Sequence, residues 1–218
     1  MRRILLAVAG LVALTACTSR TAGAPQRIDC ARTAVSGTVT CLESSLSRFW
    51  TRTIGKPVVD TVVVSAAPAA VPAQCRYALK LGTAFTCSVD RRVYLTSAYV
   101  AKLRDTAPRS DAQYRFAATL AHEMGHVVQF AAHDPAIKTH PTFAQSQTVE
   151  QQADCLSGVW ATGVGLPAGR LLAGARQVLH IVDNPQEERT HGTPARRLAA
   201  IRRGLAGGTP RACGLTLH

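Results

Sequence analysis

The sequence predicts an α+β fold, mainly helical with a small β-sheet. Two observations point there. Long stretches between residues 111 and 205 repeat apolar residues at helical spacing. Upstream of them, short runs rich in β-branched and aromatic residues read as strands. No internal repeat is apparent, and 218 residues suit one domain with a small N-terminal portion.

Taken in order, the chain opens on Arg2-Arg3 and an apolar or small run from Ile4 to Leu14. That run is too short to span a membrane but right for the core of a signal peptide. It closes on Leu14-Thr15-Ala16-Cys17, which resembles a bacterial lipobox. The expected organisation is a lipoprotein signal peptide over 1–16, a lipidated Cys17 opening a small polar tether over 17–26, and a domain over 27–218. Such a chain is exported and faces the extracytoplasmic side of the cell membrane, held there by its N-terminal lipid. Six further cysteines, Cys30, Cys41, Cys75, Cys87, Cys155 and Cys213, fit three disulfides in an oxidising compartment. Many pairings are open to them. Nearness along the chain suggests Cys30–Cys41 and Cys75–Cys87, leaving Cys155–Cys213.

Within the domain, Val39–Thr53 reads as a helix packed through Phe49 and Trp50. The valines of Pro57–Ser65 read as a strand, followed by an Ala/Pro loop over 66–73. Ala84–Val89 and Arg92–Leu95 read as short strands around an Asp90-Arg91 turn, and Ala98–Leu103 as a short helix. Asp111–Phe130 is the next helix, with Ser110 as its N-cap. A turn-rich loop holding Asp134-Pro135 and His140-Pro141 leads to a helix over Gln147–Thr162. Ala168–Val182 and Pro194–Leu205 are the last two helices.

The 111–130 helix carries the chemistry. Ala117, Leu120, Ala121, Met124 and Val128 share a core-facing side, whereas Thr119, His122 and His126 share another. His122-Glu123-x-x-His126 places two histidines about one turn apart on one face. Both imidazoles can then reach one Zn²⁺, with Glu123 beside the water to be activated, as its general base. Gly125 disfavours a helix interior, so its presence suggests close approach of another helix or of a substrate.

A catalytic zinc takes three protein ligands and keeps one position open. Glu150 and Asp154 are four apart, on the helix that follows, with Val149, Ala153, Leu156 and Trp160 on its buried side. Glu150 is the expected third ligand. Asp154 is expected to accept the outer N–H of a zinc histidine, His122, and so to fix its tautomer. His191, just before the helix start at Thr193-Pro194, is the candidate to stabilise the oxyanion, with Tyr94 and Tyr99 as weaker candidates.

These segments resemble the bacterial putative neutral zinc metallopeptidase family. The resemblance rests on Leu120-Ala-His-Glu-Met-Gly-His-Val-Val-Gln129, Glu150-Gln-Gln-Ala-Asp-Cys-Leu-Ser-Gly-Val-Trp160 and His191-Gly-Thr-Pro-Ala-Arg-Arg197, and runs from about Tyr94 to the C-terminus. Val127, Gln151 and Ser157 depart from the family pattern, and none of them removes a proposed ligand. The resemblance implies a zincin-like, gluzincin-type core acting on a peptide or protein substrate. It also implies that the Val93-Tyr94-Leu95 strand borders the cleft and can pair with an extended peptide. Gln129 and Ala132 stand where a metzincin has Gly and His, so His133 and His140 read as solvated loop residues.

The formal charge is +12. Removing residues 1–16 removes Arg2 and Arg3 and no acid, and the remaining excess of cations favours anionic cell-envelope components. Export and an aromatic content of 5% argue against nucleic acid as the partner. Arg196, Arg197, Arg202 and Arg203 read as a solvated face of the last helix, with Leu198, Ile201 and Leu205 inward. A non-catalytic zinc-binding envelope lipoprotein, serving as an accessory or binding module, is the alternative. The general base Glu123 is superfluous in such a scaffold.

Overall fold

The computed structural model describes residues 28–31, 34–58, 62–64, 67–132, 142–182 and 184–217. The expected leader, Cys17, the tether, His133 and His140 lie outside the described residues. Seven α-helices and three strands are described: α1 (Val35–Ile54), β1 (Val62–Val64), β2 (Ala84–Thr86), β3 (Val93–Leu95), α2 (Ser97–Asp105), α3 (Ala112–Ala131), α4 (Phe143–Gly163), α5 (Ala168–Ile181), α6 (Pro185–His191) and α7 (Pro194–Gly207). The class is α+β, mainly helical. No helix among the described residues is long and apolar enough to cross a membrane.

Several elements differ from the sequence expectation in ways with a physical cause. α1 begins one turn early and buries the stripe Val39, Leu42, Leu46 and Trp50. Residues 66–73 are not simply a loop: 3₁₀ turns form at Pro68–Ala70 and over Ala73–Leu81, the latter pinned by Cys75. Ser110 does not cap α3. It sits inside a 3₁₀ turn, Arg109–Asp111, that leads directly into the helix. α4 starts at Phe143 rather than Gln147, because Thr142 and Gln145 form a reciprocal capping box. α6 was not expected. Its signal is local: Asn184 accepts the N–H groups of Gln186 and Glu187, and Pro185 occupies the first helical position.

The sheet has the order β1-β3-β2. β3 pairs in parallel with β1 through Val62↔Val93 and antiparallel with β2 through Ala84↔Leu95. The Val93-Tyr94-Leu95 strand is therefore central, with both edges occupied, and cannot accept a peptide. β1 and β2 are the edge strands, and it is Thr83, Ala84 and Thr86, on the β2 side, that border the cleft.

α3 runs through the helical layer against α1, α4 and α5. Ala117, Leu120, Ala121, Met124 and Val128 are all buried. Gly125 faces another helix: a Cβ there would lie 2.9 Å from the Ala153 backbone of α4. α4 and α7 approach more closely still. A Cβ on Gly204 would fall 1.8 Å from the Cys155 carbonyl oxygen, and one on Gly158 2.3 Å from that of Ile201. The cysteines pair as Cys30–Cys41, Cys75–Cys87 and Cys155–Cys213, the last tying α4 to the C-terminal tail. Gly204→Ala should force α7 off α4 and lower stability by about 2–3 kcal/mol or more. That is a fall in Tm of about 5–10 °C for a domain of this size, measurable by calorimetry.

Candidate metal centre

α3 presents His122 and His126 on one face, and Glu150 meets them from α4. Glu150 Oε2 lies 3.1 Å from His122 Nε2 and 3.3 Å from His126 Nε2. Among the described residues, these three form the group whose ligand atoms all lie within 4.8 Å of one another. The Glu150 oxygen is buried, yet no neighbouring N–H is aligned on it for a hydrogen bond. A buried carboxylate oxygen left this way is costly unless a cation meets it. Two imidazoles and a carboxylate are a catalytic zinc donor set, and bonds of about 2.0–2.1 Å in a tetrahedron put ligand atoms about 3.3 Å apart. The residues present fit a zinc ion.

The outer nitrogen of each histidine is held by a buried partner. His122 Nδ1 is 2.9 Å from Asp154 Oδ1. His126 Nδ1 is 2.8 Å from Gln129 Oε1, whose amide nitrogen in turn donates to the Val149 carbonyl and to Gln152 Oε1. Both arrangements place the proton on Nδ1 and leave Nε2 for the ligand side. Gln129 was not singled out as a site residue from sequence, although its position three after His126 on one helix face was legible.

Arg197 is the main correction. Arg196, Arg202 and Arg203 are exposed as expected, but Arg197 is buried on the same α7 face as Ile201 and Gly204. Its Nε donates to Asp154 Oδ2 at 2.8 Å and its Nη2 to Oδ1 at 3.0 Å. Burial alone would raise the Asp154 pKa. Arg197 and His122 outweigh burial and hold the carboxyl at about 2. Burial likewise opposes the His122 imidazolium, but Asp154 and Glu150 outweigh it and raise that pKa to about 10. For His126 burial is outweighed by Glu150, and its pKa is also raised. Glu150 is kept well below the carboxylate range, since His126 and His191 overcome its burial.

His191, the last residue of α6, places Nε2 3.3 Å from Glu150 Oε2, at the edge of the centre. Its Nδ1 faces Glu187 Oε2 at 3.0 Å and the Thr190 hydroxyl at 2.7 Å. Tyr99 lines the pocket beside His122, its hydroxyl 3.2 Å from Thr119 Oγ1, and burial raises its pKa. Tyr94 is not at the site. Its hydroxyl donates to Asp90 and contacts the Ala70 carbonyl on the far side of the sheet. Cys155 is bonded to Cys213 and is not a ligand.

Glu123 is buried but opens onto the same cleft, with Oε2 2.7 Å from the Thr86 hydroxyl of β2. On one side of His122 and Glu123 the cleft narrows into a pocket whose apolar wall is Ala118, Ala175, Val178, Leu179, Val182 and Ile201. On the other it widens past His126 and Glu150 between Tyr77, Leu81, Phe130 and Val149. Thr83 and Ala84 of the edge-strand region line both sides.

Residues 15–175 match the family described as putative neutral zinc metallopeptidase. The chain belongs to this family. The match starts well upstream of Tyr94 and ends within α5, so His191 and Arg197 lie beyond the matched residues although they sit at the site. Relatives include the uncharacterized protein YpfJ of Escherichia coli strain K12, 27% identical over 151 residues, covering 59% of this chain and 52% of the relative. YpfJ of E. coli O6:H1 strain CFT073 gives the same figures. The chain spans about half the length of these curated relatives. No solved structure matches.

The depressed Asp154 carboxyl carries a pH signature. Its ordinary pKa is 3.8 and its folded value about 2. Folding therefore favours its deprotonated form. That stabilisation is complete above about pH 4 and is lost as pH falls towards 2. Between pH 5 and 2, urea titrations should show the native chain losing about 2 kcal/mol more stability than Asp154→Asn, which lacks the titrating group.

Proposed function

We propose that the chain is a zinc-dependent peptidase, anchored by an N-terminal lipid on the outer side of the cell membrane, that hydrolyses peptide bonds with an activated water. The observation that carries this reading is the convergence of His122, His126 and Glu150 with the Glu123 carboxylate opening onto the same cleft. His122, His126 and Glu150 would hold the zinc. When bound, the ion polarises the scissile carbonyl and lowers the pKa of a coordinated water towards about 7.

The residues of the chain supply the rest. Glu123 accepts the proton of the attacking water and later returns it to the leaving amine. His191, oriented by Glu187 and Thr190, donates to the oxygen on which negative charge develops. Asp154, Gln129 and Arg197 do not touch substrate and keep the two ligand imidazoles in register. The outward edge of β2 is where an extended peptide or protein substrate would pair. The exposed Arg196, Arg202 and Arg203 support a position near anionic envelope components.

Oxidised protein lacking the leader, offered zinc and then dialysed, should retain about one zinc per chain by atomic emission, and Glu150→Ala should lose it. Glu123→Gln should keep the metal while peptide hydrolysis falls by about 10²–10⁴-fold. A folded chain that takes up no zinc would overturn the reading. One that binds zinc and cleaves no peptide would leave the accessory-module alternative.

The lipid anchor has its own test. In a bacterial host the full chain should partition with membranes and carry a lipid-sized mass increment on a peptide beginning at Cys17. Cys17→Ser should abolish both, and a soluble native chain without that increment would exclude the anchor.

A further inference from the structure

We infer that Thr86 is a positioning residue for Glu123: its hydroxyl holds one carboxylate oxygen and reserves the other for proton transfer. The inference rests on the peptidase reading above and adds a residue that no local motif marks, 37 positions upstream in another element.

Thr86 Oγ1 lies 2.7 Å from Glu123 Oε2 and 2.9 Å from the Glu123 carbonyl oxygen. A hydroxyl carries one proton, so it can donate fully to only one of these acceptors. The ionised carboxylate is the stronger. Among the described residues, no other group donates to that carboxylate. A glutamate side chain bends at three torsions, and without this bond the carboxylate would be free to turn within the cleft. With Oε2 fixed, Oε1 is the oxygen left to take the proton of the attacking water. Thr86 keeps its bond to Oε2 throughout, so the same Oε1 then hands the proton to the leaving nitrogen.

Thr86 is itself held firmly. It ends the edge strand β2, next to Cys87, which is bonded to Cys75 and accepts an N–H from Arg91. The preceding Phe85 stacks on Tyr94 of the central strand with ring centroids 5.3 Å apart. Side chains alternate along a strand, so anchoring Phe85 on one side turns Thr86 to the other, towards α3. The hydroxyl is therefore supplied by rigid sheet, which is what precise orientation of a base requires.

The test compares Thr86→Val, which keeps the shape and removes the hydroxyl, with Thr86→Ser, which keeps the hydroxyl. In the zinc-treated protein, the Glu123 carboxylate band is isolated by subtracting the infrared spectrum of Glu123→Gln. It should shift in Thr86→Val and return in Thr86→Ser. In turnover, Thr86→Val should lower kcat about tenfold or more with KM and zinc content nearly unchanged, and Thr86→Ser should recover most of it. An unshifted band in Thr86→Val overturns the inference whatever the activity. So does a Thr86→Ser variant as impaired as Thr86→Val, since that would make the methyl group the cause. Absence of zinc-dependent hydrolysis in the native chain would instead count against the peptidase reading, and the infrared comparison would still decide the role of Thr86.

Discussion

A carboxylate with almost no solvent needs a cation and further donors, and Asp154 has Arg197 and His122. Arg197 grips both of its oxygens from α7, while the His122 Nδ1–H donates to it from α3. One buried charge thereby fixes the relative positions of three helices. Removing Arg197 would leave an uncompensated charge in the interior, a loss of about 3–5 kcal/mol in comparable buried pairs. The arrangement also determines which nitrogen of His122 faces the metal site. The same ion pair thus serves the fold and the centre.

That ion pair is possible only because the helices come unusually close. Gly125 admits the Ala153 backbone, and Gly158 and Gly204 let α4 and α7 touch along their main chains. At ordinary helix separation, Glu150 would stand too far from the histidines to share a ligand position with them. Cys155–Cys213 reinforces the same contact from the C-terminal side. The packing of small residues and the gathering of ligands are two aspects of one constraint.

The sheet plays a different part. It is only three strands, yet its topology decides what the cleft can receive. Because β3 is central, the edges belong to β1 and β2, and it is β2 that lies beside Glu123. The disulfide at Cys87 and the Phe85–Tyr94 stack make that short edge rigid. The cleft is thus walled by helices on one side and by a fixed strand on the other. A small pocket with one apolar wall lies at one end and a wider groove at the other.

The sequence by itself determined whatever rests on local spacing. His122, Glu123 and His126 had to share a helix neighbourhood, and Glu150 and Asp154 had to share a face, because a 3.6-residue period leaves no alternative over four positions. The buried stripe of α3 is legible for the same reason, and Asn184-Pro185 is a local helix-start signal for α6. Tertiary structure alone decided the contacts that join distant elements. Arg197 sits among surface arginines in sequence, and only the Asp154 carboxylate across the α4–α7 contact draws it inside. Thr86 looks like any strand threonine until the sheet order places it against Glu123. The cleft edge likewise passed from β3 to β2, because strand order is set by long-range pairing that a single strand's composition does not encode.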